Sequence, residues 1–212
     1  MARVSLEDRS RQFVEAAAHV IAREGATAAT TRRIAAEAGA PLAALHYCFR
    51  SKDELLDAVY DHLSRDYVRA LEPLEEGLGL ATTVRRHVRR IWRRMMAQPH
   101  EQVTTIELLL RVQRMRTPEE SENALQINRR MYDGWISSTT RIFSEAAARE
   151  GIEPAVPFEE VARFTVAGID GISLQHLADP DEERYTALVE RLGEVLIAMI
   201  TGRIAPAEDA VG

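Results

Sequence analysis

A single cysteine, Cys48, leaves this chain of 212 residues no intrachain disulfide and no thiolate set for a structural metal. Aromatic side chains are only 6% of the residues, and runs of alternating β-branched residues are scarce. Alanine is abundant instead, and that composition suits helices packed through small side chains rather than sheets. Long apolar runs are missing too. The longest near the C-terminus, VLIAMI, is far too short to span a bilayer. The opening MARVSLEDRSRQF carries acidic residues and lacks an apolar segment, so no signal peptide is expected and a cytoplasmic location is. Lysine is almost absent as well: of 27 basic side chains, only Lys52 is a lysine.

Basic residues are unevenly spread. Residues 1–52 hold eight of them against five acidic ones, a net charge of +3, while the remaining 160 residues carry −9 within a total of −6. A small basic head on an acidic body is a charge asymmetry that points toward DNA.

Nearly every segment reads at helical period, and the chain is predicted to be all-α with about nine helices. Phe13, Ala16, Ala17, Val20 and Ile21 share one face of a first helix that stops at Gly25. Thr30 caps a short second helix with Ile34, Ala35 and Ala38 inward, and Gly39 ends it. Pro41 opens a third helix, through Phe49, whose buried edge is Leu45 and Phe49. Ser51 and Glu54 form the capping box of a fourth, which runs to about Pro73 before a break at EEGLGLA. Five more helices are expected over about Thr83–Gln98, Glu101–Arg116, Pro118–Gly151, Phe158–Ala178 and from the Asp179-Pro180-Asp181 turn to Gly202, with a frayed tail. The division expected is a head of residues 1–52 and a body of residues 53–212.

The second and third helices, joined by AGAP, have helix-turn-helix proportions. The stretch from FVEAAAHVIAREG to SKDELLDAV resembles the N-terminal domain of the TetR family of transcriptional regulators. The features that carry the resemblance are Glu24-Gly25, Thr30-Thr31, Ile34-Ala35, Ala38-Gly39, Leu45, Tyr47, Phe49 and the run Ser51 to Leu56. The resemblance implies a homodimer on a palindromic double-stranded operator, with each third helix in a major groove and half-sites separated by ~34 Å or somewhat more. It further implies release by a small molecule that binds the body and shifts the fourth helix.

Residue by residue, Thr31 matches a phosphate-contacting hydroxyl, and Arg32 a position that reaches a guanine edge or a phosphate. Tyr47 and His46 match positions lying against the DNA backbone, with His46 where a tyrosine is usual. Lys52 matches a phosphate donor at the N-terminus of the fourth helix. Leu42, Ala43 and Ala44 occupy the groove-facing start of the third helix. They cannot hydrogen-bond a base, so contact with thymine methyl groups is expected there, with Arg32, Arg33, Arg3 or Arg9 supplying polar readout. Pro41 replaces the usual capping hydroxyl. Cys48 replaces a common histidine and is expected to be a small, partly buried filler.

In the body, the family encloses an effector. Trp92, Met95, Met96 and Leu109, with Met115, Met131, Trp135 and Phe143, make a candidate lining for a flat or greasy organic molecule. Tyr185, Leu188, Leu192, Val195 and Met199 form a near-heptad seam on the last helix. Gly168, Gly171 and Ile172 precede it on the eighth, so a four-helix dimer interface is expected. The run VRRHVRRIWRRMM puts Arg85, Arg89 and Arg93 four apart, and Arg86, Arg90 and Arg94 likewise. A solvated face offset by Glu75, Glu76 or Glu107 is expected of it rather than an anion site.

Enzyme signatures are missing. GISLQ is no nucleophile elbow, GLGLAT is no dinucleotide fingerprint, and the six histidines form no H-E-x-x-H pair. No cofactor or metal is expected. The competing reading is a helical binding protein whose head no longer reads DNA, with the apolar LAA as its support.

Overall fold

A computed structural model describes residues 5–71, 77–111 and 117–203. Among the described residues there are nine helices and no strand: α1 (Leu6–Glu24), α2 (Thr31–Glu37), α3 (Leu42–Cys48), α4 (Lys52–Leu71), α5 (Leu80–Ala97), α6 (Pro99–Arg111), α7 (Pro118–Glu150), α8 (Phe158–Ala178) and α9 (Glu182–Ile200). The expected helix ends at Pro73 and Arg116, the tail beyond Arg203, and Arg3, Glu75, Glu76 and Met115 lie outside the described residues. The chain forms two compact units. The first comprises residues 1–66 and 98–132, and the second residues 67–97 and 133–212.

The first unit is built on α1, which packs against α2, α3 and α6. Its start is set by Ser5, whose hydroxyl accepts from the Asp8 amide at 3.0 Å. Gly25 ends it at φ 82°, a backbone state that glycine adopts without steric cost. Phe13, Val20, Ile21, Ile34, Leu45, Leu55 and Val59 are all fully buried. At about 1.5–3 kcal/mol for each large side chain, this small core is the main force that holds α1, the two short helices α2 and α3, and the start of α4 together.

The second unit packs α5 against α9 and α8 against α9, with a smaller α5–α8 contact. Leu80, Val84, Val88, Ile91, Phe143, Val161, Val189, Leu196 and Ile200 lie in its core. Gly168 is what brings α8 and α9 so close: a Cβ there would stand 2.8 Å from both terminal carbons of Leu192.

Candidate nucleic-acid interface and regulatory body

The turn between α2 and α3 is closed by backbone alone. Ala40 N–H donates to the Ala35 carbonyl at 3.0 Å and Gly39 N–H to Ala36 at 3.1 Å. This Schellman arrangement needs a left-handed residue, supplied by Gly39 at φ 61°. Pro41 stands just outside α3 as its cap, with extended backbone and no side-chain bond, rather than as its first helical residue. At the other end Ser51 caps α4 by accepting from the Glu54 amide at 3.1 Å. The Glu54 carboxylate accepts from the Arg50 amide at 2.7 Å, so the expected box closes one residue earlier than its usual form.

Several bonds fix the position of the turn on α1. Gln12 Nε2 donates to the Ala38 carbonyl at 2.6 Å. Arg33 forks onto the Glu24 carboxylate at 2.7 and 3.1 Å, and Arg23 reaches Glu37 at 2.9 Å. These contacts hold the Glu24 carboxyl down to about 2, first through the Arg33 bond and then through Arg23. From α6, buried Thr104 donates to the Ala18 carbonyl at 2.9 Å, and Glu107 accepts from the Ala26 amide at 3.4 Å.

What α3 shows to solvent follows from what it buries. Leu45 is 0% exposed and Phe49 is buried beyond it, which turns Ala43, His46 and Tyr47 outward on one face. Tyr47 is 81% exposed, although it is a large ring in a seven-residue helix. Leu42, Ala44 and Cys48 are half-buried flanks. Thr31 is half-buried at the first position of α2, and Arg32 beside it is exposed. Two expected DNA contacts are already used within the chain. Arg33 is committed to Glu24, because α1 and α2 cross where those side chains meet. Lys52 Nζ donates to the Ala26 carbonyl at 2.9 Å and so ties the α1–α2 loop to the start of α4.

The expected effector residues divide between the two units. Leu109 and Met131 belong to the first, and Trp92, Met95, Met96, Trp135 and Phe143 to the second. Phe143 is 0% exposed and Met131 2%, core positions rather than open lining. Trp92 is also buried, donating to Thr186 Oγ1 at 3.2 Å and packing against Tyr185 and His176. Trp92 and Met96 do line a cavity of about 290 Å³, together with Arg89, Arg93, Val189 and Glu190. Two of the α5 arginines meet acids that the sequence did not single out. Arg85 pairs with Glu194 at 2.5 Å and Arg89 with Glu190, both acids on α9, which the packing of α5 on α9 brings alongside.

Of the expected dimer residues, Met199 is 8% exposed and lies in the second unit's core, with half-buried Leu192 and Ile172 packed against that core. Leu188 and Val195 are exposed, and Gly171 has open space beside it. Sequence reasoning missed Phe164, Leu174 and Leu177, which are 53%, 50% and 40% exposed on α8. Their helical spacing places Phe164 and Leu174 with Gly171 along one side of that helix. Five of the eight large hydrophobic residues exposed among the described residues are therefore on α8 and α9. A concentration of that kind marks an interaction surface rather than scattered exposure.

The inside of the second unit holds one polar cluster that the sequence did not single out. His87 on α5 is 0% exposed, and its Nε2 lies 3.0 Å from Thr139 Oγ1 on α7. Burial first, and then the nearby Arg90, push the imidazole down to about 4 from its ordinary 6.5. His87 Nδ1 and Thr83 Oγ1 have no hydrogen-bond partner, nor does Ser138 Oγ beside Thr139. Each such atom costs about 1–3 kcal/mol when left unsatisfied. Among the described residues no three His, Cys, Asp or Glu side chains are grouped to hold a metal, and no helix is long and apolar enough to cross a membrane.

Comparison with known proteins agrees with this geometry. Residues 13–59 match the bacterial regulatory proteins of the tetR family, and residues 84–201 match the BetI-type transcriptional repressor C-terminal domain. The chain is 30% identical over 191 residues to the HTH-type nicotine-responsive transcriptional repressor HdnoR of Paenarthrobacter nicotinovorans, covering 90% of this chain and 94% of that one. Its fold is similar to a transcriptional regulator from Rhodococcus sp. Rha1, with a TM-score of 0.72 at 20% identity over 93% of this chain and 99% of that one. It is also similar to the transcriptional regulator FadR from Bacillus subtilis in complex with stearoyl-CoA, with a TM-score of 0.69 at 18% identity, covering 91% and 98%. The chain therefore belongs to the TetR family of bacterial transcriptional regulators, ligand-responsive proteins that bind DNA through a helix-turn-helix, and its C-terminal part is of the BetI type.

Proposed function

We propose that the protein is a repressor that binds a palindromic operator as a homodimer and releases it when a small organic effector enters the body. The observation that carries the DNA-reading part is the outer face of α3. Ala43, His46 and Tyr47 are exposed, while Leu45 and Phe49 anchor the same helix in the core and the Arg23–Glu37 and Arg33–Glu24 pairs join α2 to α1. In this reading Tyr47, His46 and Thr31 hydrogen-bond phosphates, and Leu42, Ala43 and Ala44 lie against thymine methyl groups. Arg32 supplies the polar base contact, and Arg33 orients α2 through Glu24. Lys52 holds the Ala26 loop beside the N-terminus of α4, where helix dipole and ammonium both favour a phosphate.

The homodimer reading rests on the exposed apolar face of α8 and α9, with Phe164, Leu174, Leu188 and Val195 meeting their symmetry copies. Symmetry in the protein demands symmetry in the operator. The effector reading rests on the BetI-type body and on the nicotine-responsive relative, which favour a small organic molecule. Its apolar parts would meet Trp92, Met95 and Met96. Selection of duplexes from a random pool by the purified protein, followed by a search for compounds that release the selected duplex, tests the whole reading. Recovery of a palindrome released by a small molecule supports it. Enrichment of no sequence at low salt contradicts it.

A further inference from the structure

The second unit's core holds a buried polar cluster where α5 meets α7. His87 and Thr83 are one helical turn apart on α5, both 0% exposed. Thr139 faces His87 from α7, and Phe143, one turn further along α7, sets its ring edge-on to the imidazole at 5.2 Å and 78°. Val84 and Val88 continue the apolar wall. Inside this wall, His87 Nδ1 and Thr83 Oγ1 make no hydrogen bond. Buried polar atoms without a protein partner are ordinarily met by ordered water or by a bound polar group, and here two of them lie on adjacent turns of one helix face.

We infer that the His87–Thr83–Thr139 cluster binds the polar group of an uncharged organic effector, one carrying a hydroxyl, carbonyl or ring nitrogen on an apolar body. This rests on the reading of the body as an effector domain and goes further in naming the chemistry. The reason is the character of the groups. Hydroxyls both donate and accept. A neutral imidazole donates from one nitrogen and accepts at the other, and the Thr139 hydroxyl meets Nε2 in either tautomer, which leaves Nδ1 free to do the complementary job. Such a surface satisfies a neutral group of either polarity. It offers no opposite charge to an ammonium, and burying an unpaired cation there is far more costly than burying a neutral polar group. Phe143 beside the ring supplies a flat apolar contact of the sort an aromatic body accepts.

The test uses the full-length protein with histidine rings labelled by ¹⁵N, titrated with phenol, with toluene as its apolar counterpart, and with benzylammonium. The expected result is a saturable shift of the His87 Nδ1 resonance with phenol, at least about 10-fold tighter than any response to toluene, and none with benzylammonium. Thr83→Val, which keeps volume and leaves the imidazole in place, weakens phenol several-fold and leaves toluene unchanged. Thr139→Val gives a second variant should the first be unstable. Phenol acting no differently from toluene, or no probe moving the resonance because the cluster holds solvent only, overturns the inference. Binding of the selected duplex is measured on the same sample. Its loss would fault the regulator reading, whereas intact DNA binding with an unresponsive His87 faults this inference alone.

Discussion

Acidifying the protein should expose the cost of burying His87. Its imidazole is held to about 4 in the folded chain against an ordinary 6.5, chiefly because burial disfavours the charged form. A group whose folded value is lowered contributes stability that is complete above the unfolded value and is lost as pH falls toward the folded one. The window is therefore about pH 6.5 down to about pH 4. At about 1.4 kcal/mol per pH unit, the whole gap is worth about 3 kcal/mol, of which about 2 kcal/mol has been lost by about pH 5. Urea unfolding at about pH 7.5 and about pH 5 reads this directly, at one fixed protein concentration so that any association contributes equally. The control is His87→Gln, which keeps a polar group but cannot titrate there. Other groups lose or gain alike in both proteins, so the wild type should lose about 2 kcal/mol more than the variant. Equal losses would mean that His87 is already protonated or solvated in the folded state, and would refute the argument.

Arg32→Ala should cost about 1–3 kcal/mol on the preferred duplex and relax its sequence preference, whereas Lys52→Ala should weaken all duplexes alike, as a fluorescence-anisotropy comparison of selected and scrambled DNA would show. Ser51→Ala removes the cap of α4 and should lower stability by about 1 kcal/mol in chemical denaturation. Phe164→Glu or Leu174→Glu puts charge on the exposed face of α8, and sedimentation should then find monomers at concentrations where the proposed dimer is expected of the wild type.

Much of the head was legible because its signals are local. Gly25, Thr30, Gly39 and Ser51 each mark a helix end through the backbone of their own few residues, and all four sit where the sequence placed them. Leu45 and Phe49 follow from a four-residue spacing and are buried as expected. What escaped depends on residues far apart in the chain. The commitment of Arg33 to Glu24 needs the crossing of α1 and α2, and Lys52 meets Ala26 only after the loop folds back. The partners of Arg85 and Arg89 are about a hundred residues away on α9, so spacing along the sequence could not point to them. Phe164 and Leu174 looked like ordinary apolar positions, because periodicity cannot say which apolar face of a helix its own chain covers. His87 was hidden among arginines, although in VRRHVRRIW it falls on the apolar side with Val84, Val88 and Ile91.

The central claim is that two copies of the head, held by α8 and α9, read one symmetric duplex. Sedimentation of the protein with a duplex selected from a random pool, at low salt and again at physiological salt, measures this most directly. The account predicts two subunits on each palindromic duplex, and an affinity that falls about 10³-fold or more between roughly 50 and 200 mM salt if six or more phosphates are contacted. One subunit per duplex, or the same affinity for the selected and a scrambled duplex at low salt, would contradict it.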